Sequence, residues 1–94
     1  MTTLTYLEEH LPAKKAHAII DYASQRNCTI RVTRPRKTKL GDFRQFGKNQ
    51  SISVNKNTNS FRFLLTLIHE LAHLETSILH KNQVKPHGKE WKAN

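Results

Sequence analysis

Two histidines and a glutamate have the residue types and the spacing to do chemistry together. His69 and His73 lie four residues apart in an apolar stretch, so on an α-helix they occupy one face, one turn apart. At that spacing two imidazoles can bind one zinc ion through bonds of about 2.0–2.1 Å. Glu70 follows the first histidine and leans to one side of this face, where it can take a proton from a water molecule that the metal activates. This H-E-x-x-H arrangement is typical of metalloproteases, in which the carboxylate is the general base.

The five-residue motif also has a structural interpretation. Many amphipathic helices carry two surface histidines with a glutamate between them, and the pentapeptide alone does not exclude such a helix. The neighbouring residues favour the metal, because a histidine or a carboxylate on an apolar helix is costly to bury without a partner.

Three residues are candidates for a third protein ligand, which a catalytic zinc ion needs beside one open position. His80 lies seven residues beyond His73, or about 10.5 Å further along a continuous helix, which is too far for it to share the ion. His87 follows a loop that can reverse the chain, and Gly88 beside it permits close backbone approach. We therefore favour His87 as the third ligand over His80 and Glu90.

Composition limits the class of protein. The chain has 94 residues, enough for one domain, and its net charge of +9 points to a polyanionic partner such as nucleic acid, or to solubility alone. Cys28 is the only cysteine, which excludes a disulfide or a cysteine-based zinc site within the chain. With neither a secretory signal nor an apolar run long enough to span a bilayer, we expect a cytoplasmic protein without a membrane partner.

Apolar periodicity predicts an α+β fold. Helices are predicted over residues 3–10 and 12–26, and strands over 28–33, 40–46 and 51–54. We expect the three strands to form a small antiparallel sheet, packed against an N-terminal helix and the long helix that carries the histidines. A last short helix from His87 to Lys92 would be anchored by Trp91.

The histidine-bearing helix is predicted to run from about Phe61 to His80. Thr58, Asn59 and Ser60 are all residue types that cap helix N-termini, and the sequence does not choose among them. The apolar positions of this helix form a face wide enough for burial on most sides: Leu64, Leu67, Ile68, Leu71, Ala72, Leu74 and Ile78.

Four segments together resemble the SprT-like zinc metalloprotease domain of bacterial SprT-like proteins and Spartan-type proteases. They are the stretch from Thr38 to Arg44, the stretch from Ile52 to Asn55, the helix with the two histidines, and Pro86-His87-Gly88-Lys89-Glu90-Trp91. The resemblance covers residues 28–92. The helix motif is weak by itself, and its combination with the downstream His-Gly and an aromatic three residues later is more specific.

The resemblance implies a zincin-like minimal metalloprotease core. It implies that His69, His73 and His87 bind one Zn²⁺ per chain, and that Glu70 is the catalytic base in a peptide hydrolase. It also implies an association with DNA, because Spartan-type members degrade proteins crosslinked to DNA. Many members continue into a cysteine-bearing zinc ribbon that this sequence lacks. We therefore expect one domain over residues 1–94, either the catalytic core of a longer protein or a naturally short member.

Basic residues concentrate in the predicted sheet and its turns. The candidate contacts to DNA backbone phosphates are Arg31, Arg34, Arg36, Lys37, Lys39, Arg44 and Lys48. The alternative is that these side chains are only the solvated face of the strands. A rival interpretation of the whole chain follows from the same charge: a non-catalytic nucleic-acid-binding domain with a structural zinc ion or none.

Overall fold

Two helices, three strands and a third helix follow one another in the computed structural model, which describes the backbone of residues 2–83 and side chains as far as His80. The predicted α+β fold is confirmed. The elements are α1 (Thr3–Glu8), α2 (Ala13–Ser24), β1 (Cys28–Thr33), β2 (Gly41–Phe46), β3 (Asn49–Asn55) and α3 (Ser60–Gln83). The last short helix predicted near Trp91 lies outside the described residues. No helix within residues 2–83 is both long and apolar enough to cross a bilayer.

Local residue chemistry sets where the helices begin. The Thr2 hydroxyl accepts a hydrogen bond from the Thr5 amide at the start of α1, and Pro12 precedes the first turn of α2. Of the three candidate caps for α3, Asn59 has this role: its Oδ1 accepts the Arg62 N–H at 3.0 Å. This cap fixes the start of the helix that carries the two histidines.

The sheet is mixed, so the expectation of three antiparallel strands was wrong. The strand order is β1-β3-β2, with β1 parallel to β3 and β2 antiparallel to β3. A tight turn at Gly47 and Lys48 joins β2 to β3 as a hairpin, and residues 34–40 carry the chain past the end of the central strand. Alternating apolar residues predict that a segment is a strand, but they do not predict which strand lies beside it. β3 takes the central place and is the most buried strand.

The helices pack on one face of the sheet. That face carries Ile30, Ile52 and Val54, which join buried residues of all three helices in a single core. The broad buried face expected of α3 is narrower than predicted, because Ile68 is 61% exposed and Ala72 is also exposed. The buried apolar residues of α3 are Phe63, Leu67 and Leu74. In the described part of the chain, the opposite face of the sheet has no helix packed on it.

Candidate active site

The motif on α3 has two exposed histidines and one buried glutamate. The Nε2 atoms of His69 and His73 lie 3.1 Å apart, and their rings meet edge to face at 4.7 Å. Two nitrogens bound to one tetrahedral zinc ion lie about 3.3 Å apart, so these two side chains fit as a pair of ligands. Glu70 is only 6% exposed, because one helical step turns it toward the sheet.

The side chain of Glu70 packs against Gly41 of β2, and only glycine fits at that position of the strand. A Cβ added at Gly41 would lie 2.9 Å from Glu70 Oε2 and 2.9 Å from the Thr66 methyl carbon. On the same strand, the ring of Phe43 stacks on His73 with centroids 6.3 Å apart and planes inclined by 16°. Strand β2 therefore supports both the candidate base and one candidate ligand.

A cleft of about 480 Å³ opens beside these residues, between the start of β2 and the N-terminal half of α3. Its lining includes Leu40, Gly41, Leu65, Thr66, His69 and Glu70. A smaller cavity of about 270 Å³ is lined by Phe43 and His73, and it shares Gly41 and Glu70 with the cleft. A larger cavity of about 860 Å³ lies near His10 and contains none of the motif residues. We take the cleft as the candidate active site, although the cavity near His10 is larger, because the cleft contains His69 and Glu70.

The wall of the cleft is fixed by the buried amide of Asn55. Its Oδ1 accepts hydrogen bonds from Thr33 Oγ1 at 3.1 Å and Arg36 Nε at 2.7 Å. Its Nδ2 donates to the Lys39 carbonyl at 2.7 Å, and its backbone N–H donates to the Leu40 carbonyl at 2.9 Å. One side chain at the end of β3 therefore anchors the loop that leads into Gly41.

The described residues offer no third ligand beside His69 and His73. α3 continues through His80, which therefore lies about 10.5 Å beyond His73 along the helix axis and cannot share an ion with it. His87 and Glu90 both lie outside the described residues. Within residues 2–83, no group of three or more histidine, cysteine, aspartate and glutamate side chains is gathered for a metal.

Three of the predicted nucleic-acid residues share the sheet face without a helix. Arg31 on β1 and Arg44 on β2 point from this face, and Arg36 lies over it. The carboxylate of Asp42 accepts a hydrogen bond from Arg44 Nε at 2.7 Å and lies 3.5 Å from Lys39 Nζ. The hydrogen bond from Arg44, with help from Lys39, lowers the pKa of Asp42 below its usual value. The remaining predicted residues are exposed in the adjoining turns: Arg34, Lys37 and Lys48.

Sequence reasoning gave no individual role to several residues that shape the cleft. Gly41, Phe43 and Asn55 fell within segments that resemble the family, yet only their packing shows what they contact. Leu65 lies in the apolar stretch that precedes His69. The one available signal for Gly41 was a glycine at the start of a strand, a position that often marks close approach of another group.

Comparison with known proteins identifies a family for this chain. No curated protein and no solved structure matches the chain. The model of the SprT-like family matches residues 9–94, which is most of the sequence and includes the whole helix motif. The chain therefore belongs to the SprT-like family.

Proposed function

We propose that this protein is a zinc-dependent endopeptidase in which Glu70 is the general base. The observation that carries the proposal is the arrangement on α3: a buried carboxylate beside two exposed imidazoles with Nε2 atoms 3.1 Å apart. The SprT-like family is generally assigned as a family of zinc metalloproteases, and membership therefore implies zinc.

His69 and His73 would hold the ion, with His87 as the third ligand. The donor set suits zinc, which binds imidazole nitrogen readily and uses three protein ligands in catalytic sites. When bound, zinc polarises a carbonyl and lowers the pKa of a coordinated water to about 7.

Glu70 moves the protons of the reaction. Its carboxylate accepts a proton as water attacks the peptide carbonyl, and it then gives a proton to the departing amine. Close packing against Gly41 and burial to 6% exposure restrict the positions that the carboxylate can take, so less reorientation is needed during the reaction. Glu70 lines both the cleft and the smaller cavity, so the carboxylate lies between two spaces from which water and substrate can approach.

Strand β2 is suited to hold the substrate. It is an edge strand of the sheet and packs against α3, so its outer edge runs beside the motif. An extended peptide can add to such an edge through main-chain hydrogen bonds, which are indifferent to side-chain identity. This mode requires an unfolded or locally opened substrate segment.

Proteins bound or crosslinked to DNA are the proposed substrates. Support comes from the sheet face that has no helix packed on it, where the basic side chains of Arg31, Arg36 and Arg44 share the surface with the acidic side chain of Asp42. Arg31 and Arg44 are exposed and accessible to a phosphate, whereas Arg36 is half-buried and donates through Nη1 to Ser53 Oγ at 3.0 Å. A phosphate oxygen is an acceptor that a guanidinium group binds well.

Replacement of Glu70 by glutamine tests the catalytic assignment. The amide keeps the shape of the side chain and loses its basicity, so Glu70→Gln should keep zinc and lose cleavage of an unfolded protein, assayed with and without DNA. Glu9→Gln, the same change at an exposed position directly after α1, is the matched control and should cleave normally. Cleavage by Glu70→Gln at the wild-type rate would refute the assignment of Glu70 as the base. No cleavage by zinc-loaded wild-type protein, with or without DNA, would favour the non-catalytic binding domain.

Salt dependence tests the proposed DNA contact. Binding of a fluorescent oligonucleotide should weaken steeply between about 50 and 200 mM salt, since phosphate contacts release counterions. Arg31→Ala should weaken binding and reduce the salt slope by about 1, whereas Lys14→Ala on α2 should change neither. Equal effects of the two substitutions would show that the sheet face is not the contact surface.

A further inference from the structure

Two large apolar side chains are exposed beside the candidate base. Leu40 is 62% exposed and Leu65 is 56% exposed, and both line the cleft that also contains His69 and Glu70. Leucine side chains in such a position contribute nothing to the core of the protein. Their placement at a cleft with convergent polar groups is typical of a binding site.

The floor of this cleft is also apolar. Thr66 Oγ1 donates its hydrogen bond to the Arg62 carbonyl at 3.0 Å, which leaves the threonine methyl group facing Gly41. Gly41 has no side chain, so its backbone is directly accessible at the floor of the cleft. Two leucines, a methyl group and a glycine thus surround the space one helical turn before His69.

Charge in the cleft does not favour an acidic or a basic guest. The one basic side chain in the lining, Lys39, lies 3.5 Å from the carboxylate of Asp42, which also accepts the hydrogen bond of Arg44 and so offsets the charge of Lys39 in part. The one carboxylate in the lining is Glu70, which is buried and assigned to the reaction. An uncharged apolar group is therefore the guest that this surface binds best.

We propose that this cleft is a specificity site for a large apolar side chain, such as leucine, methionine or phenylalanine, next to the scissile bond of the substrate. The inference rests on the proposed peptidase function and names its substrate class: unfolded segments that expose apolar residues. A volume of about 480 Å³ accommodates a large side chain together with part of the adjoining backbone.

Continuity with the motif identifies the substrate as the occupant. His69 and Glu70 belong to the same cleft as Leu40 and Leu65, so a permanent cover over the leucines would also close the site. A substrate side chain covers the leucines only while its peptide bond is held at Glu70. The exposure of the two leucines is thus consistent with a substrate that binds transiently.

Matched peptides and one exposed substitution test the inference. The probes are eight-residue peptides with a fluorophore and quencher, identical except for leucine, glycine or aspartate at one central position. Wild-type protein should cleave the leucine peptide with the highest kcat/KM, and Leu65→Ala should lower that value about three- to tenfold, mainly through KM. The glycine peptide should be little affected, because it makes no contact with Leu65.

Leu79→Ala is the matched control. Leu79 is also exposed on α3, but it lies ten residues beyond His69, about 15 Å along the axis. It should leave the ratio of leucine to glycine peptide cleavage unchanged. Equal cleavage of the three peptides by wild-type protein, or equal effects of the two leucine substitutions, would overturn the inference while the peptidase function stands.

Binding to the Glu70→Gln variant separates this inference from the proposed function. If no peptide is cleaved by wild-type protein, the function fails. The specificity site still stands if Glu70→Gln binds the leucine peptide more tightly than the glycine peptide in fluorescence anisotropy, with the difference lost on adding Leu65→Ala. A dimer in sedimentation velocity that Leu65→Ala dissociates would overturn the inference, because the leucines would then be an interface between copies of the chain.

Discussion

Gly41→Ala should disable the site while leaving its metal ligands in place. The added Cβ would lie 2.9 Å from both Glu70 Oε2 and the Thr66 methyl carbon, whereas carbon contacts are normally about 3.5–4.0 Å. The carboxylate must therefore move by about 0.5–1 Å. Overpacking of this kind costs about 1–3 kcal/mol of folding free energy, and a 1 Å displacement of a catalytic group lowers the rate by about 100-fold.

Three measurements on Gly41→Ala separate displacement of Glu70 from general damage. Cleavage of an unfolded protein gives the rate, urea unfolding gives the free energy of unfolding, and elemental mass spectrometry gives the zinc content. We expect a rate reduced by about 100-fold in a protein that still binds zinc, because the three atoms nearest to the added Cβ belong to Glu70 and Thr66.

Gly47→Ala is the control for a destabilised glycine variant. Gly47 has a φ of 59° in the turn between β2 and β3, and an added Cβ there meets nothing within 4 Å. Alanine in this left-handed conformation costs about 1–2 kcal/mol, so stability should fall while the folded protein keeps its activity. Wild-type cleavage by Gly41→Ala would refute the reasoning, because it would mean that β2 does not position Glu70.

Three further predictions concern the surroundings of the site. Asn55→Ala should lower the free energy of unfolding in urea by about 2–4 kcal/mol, since Arg36 and two other groups lose hydrogen bonds; a change below about 0.5 kcal/mol would contradict the anchoring of the loop. Burial and a hydrogen bond to Glu75 raise the pKa of Tyr22 above 10.0. The stabilisation from this shift is present below pH 10 and is lost as pH rises through the raised pKa, so Tyr22→Phe should flatten alkaline unfolding; an unchanged alkaline profile would contradict it. A zinc chelator should lower the thermal midpoint of the wild-type protein and leave that of His73→Ala unchanged; equal shifts would show that the ion is bound elsewhere.

Local sequence patterns predicted the elements well. Apolar alternation located β1 over Cys28–Thr33 with the bounds found in the structure, and helical periodicity located α3 to within three residues at each end. These patterns succeed because side-chain direction within one element follows from its own backbone geometry. The order of the strands could not be predicted from these local patterns, because β1 pairs with β3 through residues that are about 22 positions apart in the sequence.

The candidate site divides in the same way. The pairing of His69 with His73 follows from the pitch of one helix and could be derived from spacing alone. The confinement of Glu70 by Gly41 and the anchoring of the loop by Asn55 depend on contacts between α3, β2 and β3. Such contacts between segments distant in sequence leave no periodic signal in a single chain.

Zinc content of the purified protein tests the central claim most directly. Elemental mass spectrometry should find about one zinc per chain in the wild-type protein and in His80→Ala, and much less in His69→Ala. His80 is the matched control, because it is an exposed histidine of the same helix that is too far from His73 to share the ion. Equal zinc in all three proteins, or none in folded wild-type protein after zinc is supplied, would contradict a metal site on α3.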